Sequence, residues 1–93
     1  MTKEIALLAR ANAALRDGDA GAALALLDQH DRRFPGSGLA EEVAATRIIA
    51  RCQLAPGATA AAARAFVARH PSSPLGPRVA RACGPQGQRD DDR

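Results

Sequence analysis

The chain has 93 residues, a net charge of +3 and 46% apolar residues, but with two Phe, no Trp and no Tyr, much of that apolar content is alanine. This is one domain near the lower limit of what a hydrophobic core stabilises unaided, and its small side chains bury little area each at ~25 cal/mol per Å². No run of ~18 apolar residues is present, which argues against membrane insertion, and no stretch reads as a signal peptide with a charged start, an apolar segment and a small-residue cleavage site.

The expectation is a soluble chain, cytoplasmic as given, or periplasmic or envelope-associated if it is a fragment of an exported protein, since Met1-Thr2-Lys3 reads equally well as a cut end. Asp90, Asp91 and Asp92 lie in the tail, so the folded part is more basic than the net charge states, and nearly all of its cations are Arg. An Arg-rich, Ala-rich composition also results from GC-rich coding, so charge alone is weak support for nucleic acid.

The periodicity predicts a first helix from about Thr2 to Asp17, with Leu7, Leu8, Ala11, Ala14 and Leu15 sharing a face. Arg10 and Asp17 flank that face on one side, and Asn12 and Arg16 on the other. Asp17-Gly18-Asp19 stops the helix: Gly18 supplies a left-handed residue and Asp19 caps the next helix. That second helix, about Ala20 to Phe34, turns Ala23, Leu24, Leu27 and Phe34 inward and ends at Pro35. Ser37 is expected to cap a third helix, with Glu41 and Glu42 at its positive end. This helix carries two apolar stripes, Leu39, Val43, Ala50 and Leu54 on one side and Ala45, Ile48, Ile49 and Cys52 roughly opposite. Arg47 and Arg51 separate the stripes on one edge, and Glu42, Thr46 and Gln53 on the other. A helix apolar on two sides is one sandwiched between layers. Ala55-Pro56-Gly57 breaks the chain before a fourth helix, about Ala58 to His70, in which Phe66 and Val67 are the only large apolar groups. After Pro71-Ser72-Ser73-Pro74, capped by Ser73, a short fifth helix turns Leu75, Val79 and Cys83 inward and Arg78 and Arg81 outward. Gly84-Pro85 closes it. Residues 86–93 lack apolar periodicity and are expected to be disordered.

One turn is used twice. Arg33-Phe34-Pro35-Gly36-Ser37-Gly38-Leu39-Ala40-Glu41-Glu42-Val43-Ala44 returns 36 residues later as Arg69-His70-Pro71-Ser72-Ser73-Pro74-Leu75-Gly76-Pro77-Arg78-Val79-Ala80. A self-match at fixed period is the mark of stacked helical repeats. Residues 4 to 37 resemble the tetratricopeptide repeat, a helix-turn-helix of 34 residues, with Ala11, Ala23, Leu27 and Pro35 at the family's spacing. The chain departs from the family at Leu7, Arg10 and Ala14, where the pattern has Trp, Leu and Tyr, and its second unit is longer. The phrase His70-Pro71-Ser72-Ser73-Pro74-Leu75 is similar to divergent repeats of bacterial envelope proteins. The resemblance implies an all-α, right-handed solenoid of about two and a half repeats over residues 1–85. It further implies a binding module whose first helices line a groove for a peptide or a partner helix. So short a groove would bind weakly alone, and a larger parent protein or self-association would extend it.

Asn12 and Arg16 lie one turn apart on helix one, and Arg47 and Arg51 repeat that spacing on helix three. Together they are candidates for a polar edge that binds a partner's backbone groups or carboxylate, because Arg offers a planar fork of donors. The bland reading is a solvated edge with intrahelical partners. His30 and His70 stand at different heights of the array and have no ligand at the i, i+4 spacing of a helical zinc motif, so no metal is expected. No nucleophile has a base and an orienting acid beside it, and no glycine-rich phosphate loop is present, so neither enzymatic activity nor a cofactor is expected. Gly36-Ser37-Gly38 could hold an anion ahead of helix three, but its return as Ser72-Ser73-Pro74 favours capping. Nucleic acid is the alternative partner, through the Arg edges, but Glu41-Glu42 at the start of helix three would repel phosphate. A spacer without a groove ligand is the remaining reading.

Cys52 and Cys83 are too few for a disulfide framework and lack metal-ligand spacing. Cys52 lies on the forward stripe of helix three, and Cys83 continues the backward stripe of Leu75 and Val79, so the two should meet. In a reducing compartment they form a small apolar contact, and in an oxidising one a disulfide, provided their Cα atoms approach within ~7 Å.

Overall fold

Leu7, Ala11 and Leu15, spaced four apart, form the buried stripe of α1 (Lys3–Arg16), and α2 (Ala20–Arg33) returns Ala20, Ala23, Leu27 and His30. The computed structural model describes residues 3–83, which are all-α with no strand among them. Three further helices complete the described chain: α3 (Ala40–Leu54), α4 (Pro56–Arg69) and α5 over residues 76–83. The expected start of the first helix at Thr2, the close of the fifth at Gly84-Pro85 and the tail expected to be disordered lie outside the described residues.

The turn between α1 and α2 is built from backbone geometry. Gly18 adopts φ 78°, its N–H donates to Leu15 O at 3.0 Å, and the Asp19 N–H donates to Ala14 O at 2.8 Å. This pairing satisfies the last carbonyls of α1. The Asp19 carboxylate then accepts from Ala22 N at 3.0 Å and caps α2. So short a link makes α1 and α2 a hairpin.

α3 is the interior helix. It packs on α2, on α4 and, more lightly, on α1. It also buries the most side chains, namely Val43, Ala45, Thr46, Ile49, Ala50 and Cys52. The two stripes are therefore both covered, with two corrections. Leu54, expected inward, is 62% exposed. It is the last residue of α3, and the chain turns away at Ala55, so the stripe outruns the packed surface. Thr46, expected on a polar edge, is buried, and its hydroxyl donates to Glu42 O at 2.8 Å, which removes the cost of an unpaired buried donor.

The expected break at Ala55-Pro56-Gly57 shrinks to one residue. Ala55 alone is non-helical, and Pro56 opens α4, where its missing N–H and its preset φ suit the first turn. α4 therefore begins two residues earlier than expected. Its anchor is Phe66, fully buried.

The repeated turn is repeated in its bonds. Phe34 N–H donates to His30 O at 2.8 Å and His70 N–H to Phe66 O at 3.0 Å. Val43 N–H donates to Leu39 O at 2.9 Å and Val79 N–H to Leu75 O at 3.0 Å. Ser37 is not the cap of α3, which is Leu39 without a side-chain bond. Instead the Ser37 hydroxyl accepts from Leu39 N at 3.0 Å, and Ser73 accepts from Leu75 N at 3.1 Å. Both serines thus form a local turn that sets the entry angle of the next helix. The first turn also uses Gly36 at φ 72°, a conformation for which Ser72 has no counterpart.

Candidate functional site

Three helices bring their polar groups together around His30. Its ring is buried, with Nε2 3.0 Å from Glu4 Oε2 on α1 and Nδ1 3.3 Å from Asp31 Oδ1. The ring thus stands between a carboxylate of α1 and one of its own helix. The Ser37 hydroxyl and then the His30 ring hold the Glu4 carboxyl below its ordinary range, because both hydrogen-bond the charged form. On the other side Arg47 reaches from α3 to Asp28 at 2.9 Å and Asp31 at 2.6 Å. A cleft of about 370 Å³ opens here, lined by His30, Phe34, Ser37, Val43 and Arg47 among others. Its acids and bases are already paired with one another, so the arrangement fastens α1, α2 and α3 together. His30 was not among the inward residues expected of α2, and nothing in local periodicity announces a partner 26 residues away.

The four proposed partner-binding residues have different neighbours. Asn12 donates to Leu8 O at 3.1 Å, and its Oδ1 accepts from Arg78 at 3.3 Å, so α5 reaches the flank of α1. Arg16 is exposed at the end of α1. Arg47 is taken up by the two α2 aspartates, and Arg51, one turn on, is exposed. Asn12 and Arg47 are thus engaged toward different elements, and the structure does not join the four in one polar edge. Gln53 of α3 does reach α1, donating to Leu15 O at 3.1 Å. The sequence places Gln53 on a polar edge of the third helix and Arg78 on the outer side of the fifth, but neither was among the residues expected to bind a partner.

Cys52 and Cys83 form a disulfide with Cα atoms 5.1 Å apart, and both are buried. The bond ties α5 to α3 beside Val79. Among the described residues no group of three or more His, Cys, Asp or Glu is placed to hold a metal ion, and no helix is long and apolar enough to cross a membrane. His70 stands apart from His30, with Nδ1 3.6 Å from Glu41. No protein-family model, curated protein or solved structure matches this chain.

Proposed function

We propose that the chain is a short helical-repeat module of tetratricopeptide type that binds another polypeptide. The observation that carries this reading is the turn made twice with the same backbone and serine bonds 36 residues apart, joined to an interior helix that touches α1 as well as its own neighbours. Two copies of one unit in contact through alternate helices is the arrangement by which repeat proteins present a continuous surface. On that reading the first helices are α1, α3 and α5, and their shared face carries Ile5, Leu8, Asn12 and Arg16 from one stripe of α1. Ile5 is 45% exposed, large for an apolar side chain beside a polar rim. Gln53 and Arg78 flank the same face from α3 and α5, whereas Arg47 is withdrawn from it by Asp28 and Asp31.

The test places a photo-crosslinking residue at Arg16 of the full chain, in an extract of the cells that make it. A discrete polypeptide adduct at Arg16, missing when the probe stands at exposed Arg64 on α4, supports the reading. Equal labelling at both positions, or none at Arg16, defeats it.

A further inference from the structure

A second concavity, of about 260 Å³, lies between α1 and α2 and is lined by Lys3, Ala6, Leu7, Arg10, Gln29 and Arg33. Three of its six residues are cations, all exposed, and among the described residues none of the three has an ion pair. The neighbouring acids are committed elsewhere: Glu4 to His30 and Ser37, and Asp28 and Asp31 to Arg47. The Arg33 guanidinium carbon lies 5.8 Å from the centre of the Phe34 ring, and that ring packs at 5.6 Å on His30, so the cation is held near the cleft by the same junction that uses up the acids. Like charges collected without a counter-charge repel one another, and an anion placed among them relieves the repulsion.

We propose that this cleft docks an acidic peptide segment of a partner polypeptide, its carboxylates meeting Lys3, Arg10 and Arg33 while its carbon skeleton lies over Ala6 and Leu7. The spacing favours an extended peptide over a single small anion. Arg10 stands seven positions after Lys3 on α1, a rise of roughly 10 Å, and carboxylates two and four residues apart, which share one side of an extended chain, span about 7 and 13 Å and bracket that distance. Each Arg can take one carboxylate through two parallel N–H bonds. Gln29 adds an amide able to donate to the peptide's carbonyls or accept from its N–H groups. The surface goes beyond the interaction reading given above, because Arg10 and Asn12 lie on opposite flanks of the buried stripe of α1. Loss of crosslinking at Arg16 and loss of binding in this cleft are therefore separate results.

The experiment is a fluorescence-anisotropy titration of the full chain with a labelled peptide of alternating Glu and Asp at low salt. Saturable binding is expected, weakened about tenfold by Arg10→Glu with Arg33→Glu and about threefold by Arg33→Gln alone, while Arg64→Glu with Arg69→Glu on α4, equal in charge change, leaves it nearly intact. Circular dichroism confirms that each variant is folded, and Arg33→Gln carries the test if the double variant is not. Equal weakening by the two double variants, or no saturable binding, overturns the proposal. So does tighter binding of duplex DNA through the same two arginines, which would assign the cleft to phosphate.

Discussion

His30 and Phe66 occupy the same place in successive hairpins. Each is buried in the last turn of its hairpin's second helix, each accepts a backbone bond from the residue four positions on, and each packs its ring on that residue's ring. The rings are exchanged between the two units: His30 packs on Phe34 at 5.6 Å, and Phe66 on His70 at 4.6 Å. One position therefore takes a histidine paired with Glu4 of α1 in the first hairpin and an apolar ring in the second. His30→Phe should keep the fold and lose its link to Glu4, which a Glu4 titration midpoint moved up toward the ordinary carboxyl range, followed by NMR, would report.

The depressed pKa of Glu4 fixes the sign of a pH effect. Its unfolded value is near 4.5 and its folded value lies below that, so ionised Glu4 contributes stability at pH above 4.5 that is lost as pH falls through the folded pKa. Ser37 is the larger cause and His30 the second. Urea midpoints measured between pH 6 and pH 3 should fall less steeply for Ser37→Ala than for the parent chain, and less steeply again for Glu4→Gln.

Phe66→Ala should cost about 3–5 kcal/mol, because the ring is fully buried and the alanines around it are too small to fill the space. Phe34, half-buried at the surface of its hairpin, should cost clearly less on the same substitution. Urea denaturation of both variants would check the order.

Reduction of Cys52–Cys83 should lower stability by about 3–4 kcal/mol on the chain-entropy estimate for a separation of 31 residues. α5, described over residues 76–83, is otherwise held by Leu75, Val79 and Ala82 and by the Arg78 bond to Asn12. Amide exchange should therefore rise first in residues 76–83 when a dithiol is added, and exchange that rises equally in α1 would show that the bond holds the whole fold.

Arg47 bridges two carboxylates that are more than half exposed, at 58% and 55%. Solvent screening limits such pairs, so Arg47→Ala should cost about 1 kcal/mol in total. A double-mutant cycle with Asp31→Ala at low and high salt would isolate the ionic part, which should shrink as salt rises.

Much of the fold was legible in the order of residues. Gly18, Pro35, Pro56 and the doubled Pro-Ser turn mark breaks through local backbone preferences, which need no distant partner. The two stripes of α3 announced an interior helix, because a helix apolar on both sides has to be covered on both. The approach of Cys52 to Cys83 could be worked out from the same stripes. The polar groups were another matter. That Thr46 is buried and Leu54 exposed depends on how far neighbouring helices extend, which no periodicity records. Ser37 was placed as a cap by its residue type, yet the helix begins three residues later and its hydroxyl serves the turn and Glu4. His30, Arg47 and Asn12 take partners 26, 19 and 66 residues away. Periodicity shows which face of a helix is apolar, while a polar side chain's role is set by the charge or carbonyl that packing brings within hydrogen-bonding reach of it. The helices, their turns and the interior place of α3 follow from local backbone preference and periodicity, whereas packing brought Arg47 to Asp28 and Asp31 and left Lys3, Arg10 and Arg33 without an ion pair among the described residues.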